Sequence, residues 1–572
     1  MTSIEKDLQE SAEQADGKNP EVDLDTGADA PEGGKSGLSP WWIIGIVTTL
    51  AMLVVGFFTL ELGVFLSMVM FVVFMAMILS GYNVAFSFAA TALFFAFIGD
   101  LTDTFDPNSL NTLPSRWFSS VSDSTLLAVP LFVLMGAILE RSGVAERLLN
   151  AIGLLMGRVR GGVAAAVVIV GTLLAAATGV TAATVIVMGI LSLPAMVKLG
   201  YDHKLAAGAI VASGTLAQLL PPSIVLILLA QQLGVGILGL FAGALLPGLL
   251  LSGLYVAYVL IISYMRPEVG PTMPEEQRKL SGNPSASTKL IIAAMLGTIV
   301  ALALLLVSPS AAVIFGLGSF AVFALFMLPG KMLATEVLAS IVPTLVLIFA
   351  VLSAIFGGIA TPSESGAVGV FGALVLTFLN WGTDRLLVKD GATHIDPAWR
   401  LTPTAIREAG ESTANITILV LTLLFASTFF SAMFFQLGGS DQTSEWLTAI
   451  GGGKFGFVLV AMVAVFILGI NLEFLEITFI VVPIFVPAMA ELGFTDLEKI
   501  WFAVLMAVNL NMAFISPPVG FSLFYLQSVA PPEVKTTDIH KGALPFMALQ
   551  GVALVLLGVF PSITEFSFEL FG

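Results

Sequence analysis

The chain has no cysteine and only three histidines among its 572 residues. The absence of cysteine excludes disulfides, thiolate metal sites and cysteine nucleophiles. The histidines are His203, His394 and His540, and none of them has the spacing of a metal-ligand pair. The sequence also lacks a His-Glu-x-x-His motif. We therefore expect no enzyme activity, no catalytic residue and no organic cofactor.

Charged residues are scarce as well, at 11% of the chain against 57% hydrophobic residues; soluble domains carry about 25% charged residues. The formal net charge is −16, but ten acidic residues fall within the first 40 positions. No basic stripe is present, so nucleic acid is not an expected partner. Gly34-Lys35-Ser36 lacks the earlier glycine of a phosphate-binding loop, because Asp29 stands at that position, so no ATP site is expected.

The first 40 residues are polar and acidic, which is unlike a secretory signal peptide. Such a segment buries too little apolar surface to fold alone. The rest of the chain is rich in apolar runs, and about 20 apolar residues cross a hydrocarbon core of ~30 Å. The sequence predicts thirteen crossings, over 41–60, 62–80, 83–99, 125–152, 205–232, 238–262, 290–307, 312–329, 337–358, 361–380, 413–434, 498–528 and 541–563.

Two further apolar stretches, 162–197 and 455–490, are interrupted in the middle by small or polar residues. Each is typical of a re-entrant hairpin, in which two half-helices enter and leave the membrane on one side. Short cytoplasmic loops are enriched in lysine and arginine. Because Arg158, Arg160 and Lys198 flank the first hairpin, we expect it to enter from the cytoplasm, and the second to enter from the periplasm.

An internal repeat surrounds these hairpins. LPAMVKLGY (193–201) matches VPAMAELGF (486–494), and QLLPPS (218–223) matches AFISPPVG (513–520), with offsets that differ by three residues. Each half therefore contains a hairpin followed by a proline-broken crossing, in opposite orientation. The predicted fold class is an all-α polytopic inner-membrane protein, surrounded by lipid, with inverted repeats, two re-entrant hairpins and two discontinuous helices.

This interpretation divides the chain into six regions. They are a disordered acidic cytoplasmic tail (1–40), N-terminal scaffold helices (41–124), a first inverted repeat (125–262), extra helices with scaffold and a cytoplasmic interfacial segment at 396–411 (263–412), a second inverted repeat (413–563) and a periplasmic C-terminus (564–572).

Inverted repeats with paired discontinuous helices are typical of secondary transporters, whose binding site lies between the repeats. A proline in mid-span frees a carbonyl oxygen, and such oxygens, together with hydroxyls, suit a small hard cation. Half-helix N-termini favour an anion. The candidate ion- and substrate-binding residues are Thr178, Gly179, Thr181, Gly214, Thr215, Pro221, Pro222, Ser223, Asn471, Glu473, Glu476, Thr478, Asn509, Asn511, Ser516, Pro517, Pro518 and Gly520.

Several motifs in order resemble the large membrane subunit of tripartite ATP-independent periplasmic (TRAP) transporters, the DctM-like group. They are VPLFVLMG (129–136), ILERSG (138–143), SGTL (213–216) with PPS (221–223), GIATPSE (358–364) and FISPPVGF (514–521). LEITFIVVP (475–483) is similar to the branch labelled mannitol or chloroaromatic transport.

The resemblance implies a sodium-driven, elevator-type importer that works with two partners. These are a small, four-helix DctQ-like membrane subunit and a DctP-like periplasmic substrate-binding protein. Only one extra apolar run, 41–60, precedes the similar region, so we expect the small subunit to be a separate chain. The expected substrate is a small organic acid. No arginine lies deep in either hairpin, so its carboxylate would be held by helix N-termini, hydroxyls and bound sodium, which fits one carboxylate better than two.

Alternatives remain at each level. Thr178 and Thr181 either bind an ion or bond back to a helix carbonyl, as threonines in membrane helices commonly do. Glu473 and Glu476 coordinate a cation, carry a proton or bond substrate hydroxyls, or else they are solvated at a tip that reaches water. The alternative function is an ion channel or a proton-coupled anion transporter that works without a binding protein.

Overall fold

The computed structural model describes residues 54–123, 125–278, 284–305, 317–319, 321–324, 327, 332–392 and 398–571. The predicted tail over 1–40, most of the predicted crossing over 41–60 and most of that over 312–329 lie outside the described residues. The chain forms two compact units, Met1–Glu61 and Leu62–Gly572. The second unit contains every element discussed below.

All regular elements of the described residues are helical, which confirms the predicted fold class. Eleven helices in the described part of the chain are long and apolar enough to cross a membrane, or up to 13 if each of two bent pairs is one span. Lipid offers no hydrogen bonds to backbone groups, so a chain of this hydropathy satisfies them within helices. Which end of the molecule faces the cytoplasm stays a prediction from the basic loops.

The N-terminal part of the second unit contains five helices, of which the last two form one bent pair. These are α1 (Leu62–Leu79), α2 (Val84–Leu101), α3 (Leu113–Val121), α4 (Ala128–Arg141) and α5 (Val144–Met156). The bend between α4 and α5 is 61°. The crossing predicted over 125–152 is therefore divided into two helices, because Gly143 adopts a left-handed φ of 76° that ends the first helix.

The first repeat contains the predicted hairpin and broken crossing. Its helices are α6 (Gly162–Thr178), α7 (Thr181–Lys198), α8 (His203–Thr215), α9 (Ile224–Leu233) and α10 (Ile237–Met265). Gly179 ends α6 with a φ of 63°, and two residues later the chain returns as α7. A short 3₁₀ turn, Leu216–Gln218, follows α8, and the Pro221–Pro222 pair separates it from α9.

Between Met265 and Gly439 the described residues contain four long helices: α11 (Ala286–Leu305), α12 (Met332–Phe356), α13 (Pro362–Lys389) and α14 (Pro403–Gln436). Thr361 and Glu364 form a capping box at the start of α13, which satisfies two backbone donors that the helix itself cannot pair. Residues 403–411, predicted as part of a separate interfacial helix, instead form the first turns of α14. The physical reason is that Pro403 suits the first helical position and no further proline follows it in the helix.

The second repeat follows the same order of elements. Its helices are α15 (Gly439–Ala449), α16 (Gly453–Gly469), α17 (Phe474–Glu491), α18 (Asp496–Phe514), α19 (Phe521–Val529), α20 (Thr536–Val559) and α21 (Ser562–Phe571). The last of these is a docked helix rather than a loose C-terminal tail. Its Ser567 hydroxyl donates to the Ala242 carbonyl of α10 at 2.5 Å and accepts from the Leu246 N–H at 3.1 Å.

Each hairpin packs against the broken helix of the other repeat. Gly189 of α7 lies where an added Cβ would be 2.9 Å from Leu526 and 2.8 Å from Val529, both of which belong to α19. In the same way α9 packs against α17. Each hairpin therefore lies beside a half-helix of the other repeat. The opposed orientation of the two hairpins stays a prediction.

Candidate functional site

The tip of the first hairpin lies directly against the first break. An added Cβ on Gly179 would be 3.0 Å from the Pro222 carbonyl oxygen, so the two backbones approach closely. The Thr178 and Thr184 hydroxyls are 2.9 Å apart. The Thr181 hydroxyl is buried and has no hydrogen-bond partner among the described residues. This tip therefore brings a free hydroxyl and backbone carbonyls into one small region.

The first break itself is lined by polar groups that are fully buried. Ser223 donates its hydroxyl to the Gln218 carbonyl at 2.9 Å, and the Pro221–Pro222 bond is cis. The Thr215 hydroxyl donates to the Ala212 carbonyl at 2.9 Å and accepts from the Gln550 amide at 3.4 Å. Gly214 faces the backbone and side chain of Val185 in α7, so α8 and the hairpin pack closely.

The tip of the second hairpin carries two carboxylates. Glu473 caps α17, and its backbone N–H donates to the Glu476 carboxylate at 3.0 Å. The Tyr525 hydroxyl of α19 donates to Glu473 Oε1 at 2.9 Å. Both carboxylates are half-buried, whereas Asn471 is exposed. The second tip and the second broken helix are thus joined by a charge-assisted hydrogen bond.

The second break contains buried amides with unmet hydrogen-bonding capacity. Asn509 donates to the Met462 carbonyl of α16 at 2.6 Å, but its own Oδ1 has no partner among the described residues. Both side-chain polar atoms of Asn511 are likewise buried without a partner there. The Pro517–Pro518 bond is cis, and an added Cβ on Gly520 would be 2.5 Å from the Phe514 carbonyl oxygen.

The structure brings two sets of predicted residues together and leaves one residue apart from them. Thr178, Gly179 and Thr181 meet the first break. Ser516, Pro517, Pro518 and Gly520 form the second break, next to the helix that carries Tyr525. Thr478 lies one turn into α17, where its hydroxyl donates to the Phe474 carbonyl at 2.7 Å.

Sequence reasoning missed several residues that the fold places in these regions. They are Thr184, Gln218, Ser522, Tyr525 and Gln550. Four of them are fully buried in otherwise apolar helices or turns. A polar side chain in the middle of an apolar span was the signal that could have identified them.

The four segments that form the two tips and the two breaks, called the junction segments below, contain no basic residue. They are 177–184, 213–224, 469–478 and 509–522, and their only ionisable acids are the two glutamates of the second tip. A negative group at this junction would be stabilised by the N-termini of half-helices and by bound cations. A cation would be held by hydroxyl and carbonyl oxygens at the first tip and by carboxylates at the second.

A comparison with protein families decides the class. The family described as "Tripartite ATP-independent periplasmic transporter, DctM component" matches residues 71–563. The chain belongs to this family. It is thus the large permease subunit of a TRAP transporter, a multi-pass inner-membrane transport protein rather than an enzyme.

Curated relatives extend over most of this DctM component. The chain is 26% identical to the C4-dicarboxylate TRAP transporter large permease protein DctM of Pseudomonas aeruginosa. The match extends over 461 residues, which are 80% of this chain and 90% of the relative. The chain is 24% identical to the ectoine permease TeaC of Halomonas elongata, covering 88% and 99% of the two chains. It is 22% identical to the sialic acid permease SiaM of Vibrio cholerae, covering 87% and 97%.

These relatives confirm the predicted family and membrane location. The substrates in their names differ widely, so membership does not name the substrate of this DctM component. The mannitol or chloroaromatic branch stays a prediction.

Proposed function

We propose that this DctM component is the membrane path of a sodium-coupled secondary transporter that imports a small organic acid. A periplasmic substrate-binding protein delivers the acid, and a small membrane subunit, encoded as a separate chain, completes the complex. The description of the family as tripartite supports the two partners. Relatives named for C4-dicarboxylate and sialic acid support an acidic substrate.

The contact between the first hairpin tip and the first break carries the proposal. Unwound backbone carbonyls in discontinuous helices coordinate sodium in secondary transporters. Here the Pro222 carbonyl lies beside Gly179, and the buried Thr181 hydroxyl is free of any partner among the described residues. Hydroxyl and carbonyl oxygens without a competing hydrogen bond are the ligands that a small hard cation needs.

The acid would bind between the two tips. The half-helices α9 and α19 both begin at a break, and their N-terminal N–H groups carry partial positive charge. Since no basic side chain lies in the four junction segments, a carboxylate depends on these N-termini and on sodium for its charge balance. That dependence is the physical basis of coupling, because the acid binds well only when sodium is bound.

Alternating access follows in this proposal from an elevator movement. The hairpins and broken helices move as one body against the scaffold helices. A close scaffold contact is made by α4, where an added Cβ on Gly136 would be 2.7 Å from the Thr178 Cα. A glycine here permits a tight contact with the first tip that larger side chains would obstruct.

The test is uptake in proteoliposomes that contain this chain, the small subunit and the binding protein. Uptake of the acid is expected to need an inward sodium gradient. Thr181→Val is expected to weaken the sodium dependence by about tenfold or more, since losing one hydroxyl ligand in a dry site costs about 1–3 kcal/mol. Thr181→Ser keeps the hydroxyl and should retain most of the sodium dependence of uptake.

The matched control is Thr422→Val, because the Thr422 hydroxyl is exposed and already bonded to the Ile418 carbonyl at 2.7 Å. It should behave as the wild type. Equal uptake with and without a sodium gradient would overturn sodium coupling, and equal effects of Thr181→Val and Thr422→Val would remove Thr181 from the ion site.

The second candidate, a proton-coupled anion transporter without a binding protein, is favoured by one observation. The hydrogen bond from Tyr525 to Glu473 places a titratable carboxylate at the moving tip. In that case a pH gradient alone would drive uptake without the binding protein, and Glu473→Gln would abolish it.

A further inference from the structure

A polar pocket whose lining contains no residue of either hairpin tip lies where the bend between α4 and α5 faces the last turns of α13. The cavity has a volume of about 60 Å³. Arg147, Asn150 and Glu146 of α5 line one wall, and Asn380, Trp381 and Asp384 of α13 line the other. Arg400, from the segment before α14, closes one end.

The guanidinium of Arg147 forms hydrogen bonds to described residues through only one of its three nitrogen atoms. Its side chain is 9% exposed. The Nη1 atom contacts Asp384 Oδ1 at 2.8 Å and donates to Asn380 at 3.3 Å. The Nε and Nη2 atoms are buried and have no hydrogen-bond partner among the described residues. These two atoms form the side of the fork that binds carboxylate or phosphate with two parallel hydrogen bonds.

A third unmet donor lines the same pocket. The Trp381 indole Nε1 is also buried without a partner in the described part of the chain. Its ring stacks edge-on with Trp399 at 5.5 Å and lies under the Arg385 guanidinium at 4.2 Å. The indole is therefore fixed in place while its N–H is unused. Buried donors without partners are rare in native proteins, and each calls for an acceptor.

The N-terminus of α5 adds positive potential at the same place. Ser142 and Gly143, which precede this helix, line the pocket, and a helix N-terminus attracts anions. The acidic groups of the pocket are engaged. Glu146 is paired with Arg400 at 3.0 Å and Asp384 with Arg147, and buried Glu336 has a partner of its own.

The geometry points to a binding site for a phosphate group between α5 and α13. Two parallel donors from Arg147 and a third from Trp381 match a tetrahedral oxyanion with three accessible oxygens better than a planar carboxylate with two. A free phosphate and the headgroup of an anionic phospholipid offer the same chemistry. Since α5 packs on the first hairpin and α13 on α4, a ligand here would bridge the hairpin side and the scaffold.

The experiment uses the full chain, purified in detergent and depleted of lipid. Its melting temperature is measured while inorganic phosphate is added, and separately while phosphatidylglycerol is added to the micelles. A ligand that binds only the folded state raises the melting temperature in a saturable way. A saturable rise with phosphate alone identifies free phosphate, and a rise with phosphatidylglycerol, with lipid retained in native mass spectrometry, identifies the lipid.

Two variants remove different donors. Arg147→Lys keeps the charge but loses the fork, and Trp381→Phe keeps the ring but loses the N–H; either should reduce the apparent affinity at least tenfold. Because Arg147 also pairs with Asp384, Trp381→Phe is the variant that tests the site if Arg147→Lys fails to fold. Arg407→Lys and Trp446→Phe make the same changes at exposed positions and should bind like the wild type.

Two results would overturn the assignment. The first is a melting temperature that neither phosphate nor phosphatidylglycerol raises. The second is a rise that is equally large in Trp381→Phe and in its control Trp446→Phe.

Discussion

The two repeats share a backbone plan but differ in the side chains at their hairpin tips. Each has a hairpin, a Pro-Pro break with a cis bond and a half-helix that packs on the other repeat's hairpin. The first tip offers the hydroxyls of Thr178 and Thr181, whereas the second offers Glu473 and Glu476. Both repeats thus contribute backbone carbonyls and helix N-termini. The side chains differ, with hydroxyls at the first tip and carboxylates at the second.

This difference separates what backbone and side chains contribute. At the first tip the critical feature is close backbone approach, which depends on a glycine. At the second it is a hydrogen bond between side chains of two elements, which depends on a carboxylate and a phenol. Substitutions at the two tips should therefore impair transport for different physical reasons. Four comparisons test this difference, from the largest expected effect to the smallest.

The largest effect is expected at Gly179. An alanine there meets the left-handed φ of 63° and also the Pro222 carbonyl 3.0 Å away. The left-handed conformation alone costs roughly 1–2 kcal/mol for a residue with a Cβ, and the contact adds to it. We expect Gly179→Ala to abolish uptake.

The matched control is Gly234→Ala, where φ is 66° and no atom lies within 4 Å of the added Cβ. It should lose stability to a similar extent but retain uptake per folded molecule. If both variants transport alike, the contact between the first tip and the break has no role.

The next largest effect is expected at Tyr525. Tyr525→Phe leaves Glu473 Oε1 without its donor, and an unsatisfied charged group of this kind costs about 1–3 kcal/mol. Uptake should fall about tenfold in the proteoliposome assay. Tyr264→Phe, at a tyrosine that is 76% exposed, should leave it unchanged.

A double substitution sharpens this result. Because Glu473 and Tyr525 act through one bond, Glu473→Gln combined with Tyr525→Phe should cost less than the two single effects added, with a coupling of about 0.5–3 kcal/mol. Additive effects would mean that the two residues act independently.

An intermediate effect is expected for Thr178→Val. It removes the hydroxyl that lies 2.9 Å from the Thr184 hydroxyl, a neutral bond worth about 0.5–1.5 kcal/mol. Sodium affinity, measured from the concentration that gives half-maximal uptake, should weaken severalfold. An unchanged value would place the ion elsewhere.

The smallest effect is expected for Thr478→Val in the second hairpin. The hydroxyl proton is donated to the Phe474 carbonyl of its own helix, a common arrangement that leaves the hydroxyl unavailable as a donor to a substrate. Uptake and sodium affinity should stay within about twofold of wild type, which is ~0.4 kcal/mol. A strong loss would show that this bond opens during transport.

The apolar helices and the places where glycine or proline interrupts them could largely be predicted from the sequence. Glycine and proline in long apolar runs marked the first tip at Gly179 and both Pro-Pro breaks, because these residues end helices for local reasons. The bend at Gly143 was missed, since a single glycine in an apolar run also occurs in straight helices. The start of α14 at Pro403 was misjudged because an amphipathic opening turn resembles an interfacial helix.

The side-chain contacts of the site could not be predicted. Glu473 meets Tyr525 across 52 residues, and Thr215 meets Gln550 across 335; only the packed structure brings such pairs together. Arg147 could be interpreted from the sequence only as a basic loop residue. Its burial depends on α13, more than 230 positions later.

The crossed packing of hairpins and half-helices has a mechanical consequence. Since α7 packs on α19 and α9 packs on α17, neither repeat can be displaced without moving part of the other repeat. In the proposed elevator movement the two repeats would therefore shift together, and release of an ion at one hairpin tip would also displace the half-helix of the opposite repeat.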